Sequence, residues 1–345
     1  MFAKFDIYLT VSVFFLITFG LFVLNSLSTS LFPSYLIYVL VALLAFWFFS
    51  QVGFEVVSLF SKHLYIISLL LLLLTLIIGQ VTRGTISWIP IGNLTFQPAE
   101  IVRPLLLVFF ANYLTSAELT IKRLLKAVGL LIIPTFLILV QPSLGVSVLI
   151  VVGFFGILIA SDFNKKHILS GVLIVLALLP LFWLVMQPYQ KARLQTFLNP
   201  ESDPLGAGYN SIQSKISVGA GKITGRGLGR GVQTQLAFLP EKHTDFVFAS
   251  VSEELGLIGS SILLLLSFIV LWRLTIFMEH SVSPIARAYV AGFFLTYFIQ
   301  VVIHIGMNLG LIPITGLPLP LVSAGGSSLL ATMIGLGIAV GAYKA

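Results

Sequence analysis

Apolar stretches close to the length of a membrane-spanning helix recur from one end of the chain to the other, with short polar connections between them. A helix needs about 20 residues to cross the hydrocarbon core of a bilayer. The pattern therefore predicts an all-α integral membrane protein with about ten transmembrane helices, in a single polytopic domain over residues 1–345. The predicted spans are Ile7–Leu24, Tyr35–Phe49, Leu64–Gly79, Glu100–Leu114, Leu125–Val140, Leu144–Ala160, Ile168–Met186, Val247–Phe277, Ile285–Leu311 and Pro318–Tyr343.

Two longer polar segments interrupt the series of apolar stretches. The larger one, residues 187–246, lies between the seventh and eighth predicted spans, and a connection of that length is expected to fold and to carry function. Within it, three- and four-residue spacing over Tyr209–Gly219 predicts a short interfacial helix. The smaller segment, Thr82–Ala99, is predicted to be a loop at the level of the lipid headgroups, because Trp88 lies there among prolines.

Composition narrows the class of protein. Hydrophobic residues make up 58% of the chain and charged residues 9%, which is too little polar surface to cover a soluble globule. The absence of cysteine excludes disulfides, Cys-ligated zinc, iron–sulfur centres and thiolate nucleophiles. The net charge of +7 does not predict a nucleic-acid partner, because in a membrane protein an excess of cations first indicates orientation.

The distribution of lysine and arginine predicts that orientation. These residues accumulate in the cytoplasmic loops of membrane proteins, and with the N-terminus inside, the short outer loops hold only Arg83. Both termini are therefore expected in the cytoplasm and the long loop outside it, with the first span retained rather than cleaved as a signal peptide. The predicted cytoplasmic cations are Lys4, Lys62, Lys122, Arg123, Lys126, Lys165, Lys166, Arg273, Arg287 and Lys344.

Glycines alternate with cations over Gly219–Gly231, inside the long loop. Backbone amides and cations in such a loop can surround phosphate groups, which predicts a polyanionic substrate. A nucleotide site is not predicted, because Ile223 stands where a Walker loop needs Ser or Thr. A flexible loop with solvated charges is the alternative. The candidate substrate-binding cations are Arg193, Lys215, Lys222, Arg226 and Arg230.

An acidic motif follows at Leu239–Ala249. If the eighth span begins near Thr244, Asp245 lies in its first turn, where the helix macrodipole favours the ionised carboxylate and keeps a base available. The alternative is a helix cap with buried ion pairs. His243 is a further candidate for substrate binding, but His243 and Asp245 alone are too few ligands to predict a metal site.

Three residues of the next helical turns are predicted to support this motif. Ser252 is seven residues beyond Asp245 and returns to nearly the same helix face. Glu254 points almost opposite and is expected to satisfy a neighbouring helix, with Glu253 beside it.

Further candidates lie in the fourth and tenth spans. Glu100 and Arg103 have i, i+3 spacing and can pair inside the membrane, either for function or for structure alone. The proline- and glycine-rich stretch Thr315–Ser328 predicts broken backbone that lines a cavity, with Ser323 and Ser327 as candidate substrate-binding hydroxyls. Close packing of helices through small residues is the competing explanation.

The order of these motifs resembles the SEDS family (shape, elongation, division and sporulation) over nearly the whole chain. The most specific stretches are Phe197–Tyr209, Leu239–Phe246, Glu253-Glu254-Leu-Gly and Pro320–Ser328. The Gly-Val-Gln-Thr-Gln run before the acidic motif is more similar to the elongation (RodA-type) branch than to the division branch. Four positions depart from the family pattern: Ser143 replaces the usual Asp, Arg103 replaces a Lys, Ala99 replaces a Ser, and the family has an aromatic residue near Ala324.

The resemblance implies a ten-span fold in the bacterial cytoplasmic membrane with an extracytoplasmic active site. It implies a glycosyltransferase that polymerises lipid II into glycan strands for cell elongation and shape, with a class B penicillin-binding protein as transpeptidase partner. Asp245 matches the family's essential aspartate. The other ligand implied by the resemblance is the lipid-linked nascent glycan.

The mechanism expected from these residues is an inverting single displacement with Asp245 as the base. The diphosphate leaving group needs charge neutralisation, from the candidate cations or from a divalent cation, Mg²⁺ or Mn²⁺; the metal requirement stays open. Two other classes of function remain as alternatives: a lipid II flippase or transporter, and a non-catalytic scaffold for a penicillin-binding protein. The absence of matching inverted halves disfavours the transporter.

Overall fold

The structure is a computed structural model that describes residues 6–82, 85–92, 94–161, 188–204, 206, 208–281 and 283–343. The predicted seventh span, Ile168–Met186, lies outside these residues, as do Arg83 and the predicted cytoplasmic residues Lys4, Lys165, Lys166 and Lys344.

Helices dominate the described chain. Asp6 caps the first one by accepting a hydrogen bond of 2.8 Å from the Leu9 N–H, and prolines occupy the first turns of four others. The helices are α1 (Ile7–Leu27), α2 (Phe32–Gln51), α3 (Phe54–Leu59), α4 (Ser61–Ile78), α5 (Pro98–Thr115), α6 (Ile121–Val140), α7 (Leu144–Ala160), α8 (Pro188–Leu198), α9 (Tyr209–Ala220), α10 (Val232–Gln235), α11 (Val247–His280), α12 (Pro284–Asn308) and α13 (Gly326–Tyr343).

Length and apolar composition suit about half of these helices to cross a membrane. Among the described residues, seven helices are long and apolar enough to cross a membrane, and α7 is a shorter apolar helix. The all-helical class is thereby confirmed, while the count of ten spans stays a prediction. The most apolar window of α13 is 89% buried, against 22% for α6, so α13 is a central helix and α6 a peripheral one. Buried side chains from both ends of the chain form one continuous core.

Glycines bring α7 and α12 into close contact. A Cβ added at Gly156 would lie 2.8 Å from the Ala291 carbonyl oxygen, and one added at Gly292 would lie 2.8 Å from the Gly153 carbonyl oxygen. Small residues of this kind allow helix backbones to approach in lipid, where no hydrophobic effect drives helices together.

The segment after α4 forms a small sheet instead of the predicted loop. Strands β1 (Gln80–Thr82), β2 (Thr85–Ile91) and β3 (Leu94–Phe96) are antiparallel in the order β1-β2-β3. Pro90 pairs with Thr95 in the β2–β3 hairpin. Proline indicated a loop, but proline is also tolerated in strands at a sheet edge or a bulge.

The short helix predicted over Tyr209–Gly219 is confirmed as α9, while its position at the membrane interface stays a prediction. Ser211, Ser214 and Ser217 are the buried residues, and Ile216 is exposed. The Ser214 hydroxyl donates to the Asn308 carbonyl at 2.8 Å. Small hydroxyl side chains therefore let α9 lie close against the end of α12.

Helix α11 is broken at Gly256, and the glycine-rich loop fills the break. Gly256 has φ 68° and ψ −161°, a backbone region that is essentially restricted to glycine. The Arg226 and Gly227 N–H groups donate to the carbonyls of Glu253 and Glu254 at 2.9 Å each. On the other side of the break, the Leu257 N–H donates to the Lys222 carbonyl at 2.9 Å. The loop thus replaces the hydrogen bonds that α11 loses.

One predicted boundary is confirmed and two expectations are corrected. The helix after the acidic motif begins at Val247, as the predicted span does. The alternative start near Thr244, which would place Asp245 in the first helical turn, is wrong, because residues 241–246 form a separate hydrogen-bonded turn. The final helix begins at Gly326 rather than at Pro318, because the prolines and glycines before it keep the backbone irregular.

Replacing Gly256 with Ala tests the break. A Cβ there would lie 2.3 Å from the Gly225 nitrogen and 2.5 Å from the Ile223 carbonyl oxygen. We expect the free energy of unfolding to fall by about 1–3 kcal/mol, measured by titration with sodium dodecyl sulfate in mixed micelles. Gly129→Ala is the control, because no atom lies within 4 Å of its added Cβ. Equal stability of the two variants would contradict the assigned backbone strain.

Candidate active site

The turn 241–246 holds Asp245 in place through its own backbone. The Thr244 and Phe246 N–H groups donate to the Glu241 carbonyl at 3.1 and 3.2 Å. The Thr244 hydroxyl donates to the Glu241 carboxylate at 2.7 Å. Asp245 therefore lies two residues before α11, on the turn and not in the first helical turn as predicted.

Asn308, the last residue of α12, connects this turn to two helices. Its amide nitrogen donates to the Asp245 carbonyl at 3.0 Å and to the His304 carbonyl at 2.7 Å. Its amide oxygen accepts from the Ala249 N–H at 3.0 Å. The side chain is fully buried, so each of these groups would otherwise be an unsatisfied polar group in an apolar interior.

The irregular segment before α13 holds the other side of the turn. The Ser323 hydroxyl donates to the Thr244 carbonyl at 2.7 Å and accepts from the Leu319 N–H at 2.8 Å. The Ala324 N–H donates to the His243 carbonyl at 2.9 Å. Ser323 is buried, and it acts on Asp245 by fixing the neighbouring backbone.

A cavity of about 350 Å³ opens beside Asp245. The Asp245 carboxylate lies close to the irregular segment, since a Cβ on Gly316 would be 3.6 Å from its Oδ2. The irregular backbone 313–318 lines one wall, which confirms that the broken stretch borders a cavity. Polar or charged residues around the cavity include Ser87, Gln97, Glu100, Ser143, Arg193, Thr244, Asp245, Thr315, Ser327 and Ser328.

A buried ion pair lies beside this cavity, since Glu100 is one of its lining residues. Arg103 Nη1 is 3.1 Å from Glu100 Oε2, which confirms the predicted pairing, and each residue is only 2% exposed. Arg103 also donates to the Gln300 amide oxygen at 3.0 Å, and the Gln300 amide nitrogen donates to the Pro318 carbonyl at 2.9 Å. The pair therefore connects α5 through α12 to the irregular wall. Glu100 also lines the cavity, so the two explanations predicted for the pair, a structural role and a functional role, are both compatible with its position.

Four other predicted site residues lie at the same cavity as Asp245: Trp88, Glu100, Arg193 and Ser327. The Ser327 hydroxyl accepts from the Gln97 N–H at 2.8 Å and so joins α13 to the start of α5. Arg193 is exposed on α8 and donates to the Ile314 carbonyl at 3.3 Å.

His243 lines a neighbouring cavity of about 220 Å³. Trp88, Thr244 and Gly325 border both cavities, so the two spaces are adjacent. Among the described residues, no group of three His, Asp or Glu side chains is placed to hold a metal ion. The metal requirement therefore stays open.

The other predicted cations do not line the cavity of Asp245. Lys215, Lys222, Arg226 and Arg230 are exposed, and the stem of Lys215 lies over Gly310. The glycines between them have a structural explanation: a Cβ on Gly221 would lie 1.7 Å from the Ser252 carbonyl oxygen. Close approach to α11 thus accounts for glycine at this position without a bound phosphate.

Glu253 and Glu254 are buried beneath the same loop. Glu253 accepts from the N–H groups of Gln233 and Thr234 at 2.9 and 3.0 Å, where the first turn of α10 begins. Glu254 accepts from the Ser26 hydroxyl of α1 at 2.7 Å, which confirms its predicted contact with a neighbouring helix. Both carboxylates therefore anchor the loop from inside.

Lys242 and Ser252 complete this region. Burial lowers the pKa of Lys242 below its ordinary value, while the carboxylates of Glu254 and Glu253 act in the opposite direction. Ser252 does not reach the cavity: its hydroxyl contacts the Ser260 hydroxyl at 2.9 Å across the break in α11. Asp245 was predicted to share a helix face with Ser252. This prediction is wrong, because the helix begins at Val247 and Asp245 lies before it.

Sequence reasoning missed the polar face of α12. Gln300, His304 and Asn308 recur at intervals of four residues in an apolar helix and therefore share one face. All three are fully buried and each bonds backbone near the cavity, His304 through a ring nitrogen 2.8 Å from the Leu317 carbonyl oxygen. Polar residues inside a membrane helix are functional candidates by default, so the signal was present.

These features define a class: a polytopic helical membrane protein with a carboxylate fixed on a turn at a polar cavity, beside an exposed arginine. The family model described as "Cell cycle protein", for FtsW, RodA and SpoVE, matches residues 2–344. The chain belongs to this family, the SEDS family, and is RodA-like within it.

Curated relatives extend the similarity. The peptidoglycan glycosyltransferase MrdB of Escherichia coli K12 is 40% identical over 282 residues, covering 81% of this chain and 76% of MrdB. The probable peptidoglycan glycosyltransferase FtsW of Idiomarina loihiensis is 35% identical over 285 residues, covering 81% of this chain and 69% of that protein.

Solved structures match almost the full chain. A chain from a structure described as "Structural coordination of polymerization and crosslinking by a peptidoglycan synthase complex" has TM-score 0.87 and 29% identity, covering 99% of this chain and 98% of that one. The rod shape determining protein RodA of Thermus thermophilus has TM-score 0.75 and 27% identity with the same coverage. The integral-membrane class is thereby confirmed.

Asn308→Ala tests the anchoring of the turn. The change leaves the Asp245 carbonyl and the Ala249 N–H without their side-chain partner. We expect a loss of about 1–3 kcal/mol in the free energy of unfolding, measured in mixed micelles. Asn25→Ala is the matched control, because Asn25 is exposed at the end of α1. A similar, small effect of both changes would show that Asn308 does not anchor the turn.

Proposed function

We propose that this chain is a peptidoglycan glycosyltransferase that polymerises lipid II into glycan strands for cell elongation. The observation that carries the proposal is the position of Asp245, on a rigid turn at a cavity that also holds Arg193. The relatives named as peptidoglycan glycosyltransferases support the reaction type.

The proposed reaction is a single displacement at the anomeric carbon of a lipid-linked donor. The acceptor GlcNAc 4-hydroxyl attacks that carbon and passes its proton to the Asp245 carboxylate. A carbon–oxygen bond forms between the sugars as the bond to the diphosphate breaks, and undecaprenyl diphosphate leaves with the electron pair. Asp245 then returns its proton to solvent. One general base suffices, since the reaction inverts the anomeric centre and needs no enzyme nucleophile.

Arg193 is the proposed counterion for the diphosphate. It is the guanidinium that borders the cavity of Asp245 on its exposed side, whereas Arg103 is buried in an ion pair. Lys215, Lys222, Arg226 and Arg230 lie outside this cavity, and we assign them to holding the lipid-linked substrate farther from the reacting centre. Ser327, His243 and Trp88 complete the proposed substrate contacts. A divalent cation bound with the substrate would add charge neutralisation.

The proposed topology follows from charge. Loop cations such as Lys62 and Lys122 lie at the ends of helices away from the Asp245 cavity. Placing those ends in the cytoplasm puts both termini inside and the cavity on the outer side of the bacterial cytoplasmic membrane. Residues 187–246 then form an extracytoplasmic loop within one polytopic domain over 1–345.

The proposed partner is a class B penicillin-binding protein that crosslinks the new glycan. A structural neighbour comes from a synthase complex that coordinates polymerization and crosslinking, and 99% of this chain aligns with that neighbour. The lipid-linked nascent glycan is the second proposed ligand.

Asp245→Asn tests the base. The amide keeps the size of the side chain but cannot accept the proton, so we expect a 10²–10⁴-fold loss of rate, as is typical of a general base. The measurement is polymerisation of lipid II by the purified full-length protein, with and without a chelator. Glu201→Gln is the control, because Glu201 is an exposed carboxylate in the same long segment.

Equal polymerisation by Asp245→Asn and wild type would reject the assigned base. Lipid II movement across reconstituted vesicles without any polymer would instead indicate a transporter, and unchanged shape complementation in cells by the mutant would indicate a scaffold.

Arg193→Gln separates the two groups of cations. We expect it to slow polymerisation at saturating lipid II by at least tenfold, because the exposed cation at the Asp245 cavity is proposed to act on the leaving group. The triple change Lys222→Gln, Arg226→Gln and Arg230→Gln should raise KM with little effect on kcat, because those cations only bind substrate. The reverse pattern, with kcat lost in the triple variant, would place the leaving group at the glycine-rich loop.

A further inference from the structure

A second polar cavity lies at the opposite end of the bundle from Asp245. It has a volume of about 540 Å³ and is formed by the start of α4, the end of α5 and the start of α6. Glu100 borders the Asp245 cavity and Asn112 borders this one, and they are twelve residues apart on α5. That separation corresponds to about 18 Å along a helix, so the cavities are distinct sites.

Four cations line this second cavity without a lining acid: Lys62, Lys122, Arg123 and Lys126. Arg123 is committed to the protein, since its Nε donates to the Tyr113 carbonyl at 2.9 Å and its guanidinium lies 5.1 Å from the Tyr113 ring centre. The three lysines are exposed and, within the described residues, form no ion pair. Glu118 of the α5–α6 connection is the nearest acid in sequence, and it forms no ion pair with them either.

The arrangement of the lysines is unfavourable without an anion. Lys122 and Lys126 are four residues apart on α6, where two like charges face each other and destabilise the helix. Lys62 approaches the same cavity from α4 and adds a third positive charge. Simple exposure to water would not require two helices to direct their cations into one concavity.

Neutral polar groups complete the cavity. Asn112 and Thr120 are lining residues, and the Asn112 amide is held by bonds to the Ser58 carbonyl at 2.9 Å and the Ser61 hydroxyl at 2.6 Å. These contacts fix the wall of the cavity before any ligand arrives.

Apolar surface continues directly from the cavity along the outside of the bundle. Leu125, Ile132 and Phe136 of α6 are 59–66% exposed, and Ile66 and Leu70 of α4 are also exposed. A ligand with an anionic head and hydrocarbon chains fits both parts, since the chains would lie against these side chains in the membrane.

We propose that this cavity is a phosphate site filled by the headgroup of an anionic phospholipid. The phosphate contacts Lys62, Lys122 and Lys126, and the acyl chains cover the exposed apolar faces of α4 and α6. The single negative charge of the bound lipid thereby offsets part of the repulsion among the three lysines, and its headgroup fills the cavity between α4, α5 and α6.

The test is lipid retention by the purified full-length protein in native mass spectrometry. The probes are dioleoyl phosphatidylglycerol, dioleoyl phosphatidylcholine with the same chains but no net charge, and inorganic phosphate. Each lysine near an anionic headgroup is worth about fivefold in affinity, so Lys62→Gln, Lys122→Gln and Lys126→Gln together should weaken phosphatidylglycerol retention on the order of a hundredfold. Lys122→Gln alone is matched with Arg287→Gln, a single exposed cation at the start of α12 outside the cavity.

The wild type is expected to retain phosphatidylglycerol over phosphatidylcholine, and only the cavity variants should lose that preference. Retained polymerisation of lipid II by the variants shows that they fold. Equal retention by the triple variant and wild type, or equal losses in Lys122→Gln and Arg287→Gln, would overturn the site. Binding of inorganic phosphate as tightly as phosphatidylglycerol would overturn the lipid as its source.

Discussion

Every backbone N–H and C=O inside an apolar bundle must find a partner, and the described active-site region depends on how its irregular segments meet this requirement. The break at Gly256 frees carbonyls and N–H groups of α11, and residues 222–227 bond to them. The turn 241–246 and the segment 313–325 satisfy one another in the same way, through Ser323 and the Ala324 N–H. Each irregular segment here therefore forms its hydrogen bonds with another irregular segment. Within each pair, one segment depends on the other to keep its shape.

Buried charge follows the same rule around the cavity. Glu100 and Arg103 neutralise each other, and Gln300 extends their contact to the segment that borders Asp245. Removing one member of such a pair leaves an unpaired charge in a medium that solvates it poorly, which is typically more costly than replacing both. The pair thus fixes α5 against α12 beside the cavity. This structural role does not depend on any contact between Glu100 and a substrate.

Sequence could predict the features that repeat along one helix or one motif. The spacing of Tyr209–Gly219 predicted α9, and i, i+3 spacing predicted the Glu100–Arg103 pair. Sequence could not predict contacts between segments that are distant along the chain. The glycine-rich run was interpreted as a phosphate-binding loop, whereas in the structure Gly221 and its neighbours pack against the break in α11. Asp245 was wrongly expected in the first helical turn, because the separate turn that holds it is stabilised by Asn308, 63 residues away.

The proposed base, Asp245, and the proposed counterion, Arg193, are held in different ways. Hydrogen bonds from α12 and from the segment before α13 fix the turn that carries Asp245, which preorganises the carboxylate. Arg193 is exposed on the short helix α8 and bonds one carbonyl at the rim of the cavity. A polymerase must release one lipid diphosphate and admit another in every cycle, while its base must meet each acceptor hydroxyl at the same place. A carboxylate on a rigid turn keeps the proposed base in one position for each acceptor hydroxyl. An exposed arginine can move as one diphosphate leaves and the next one binds, so structural reorganisation is confined to the group that binds the leaving anion.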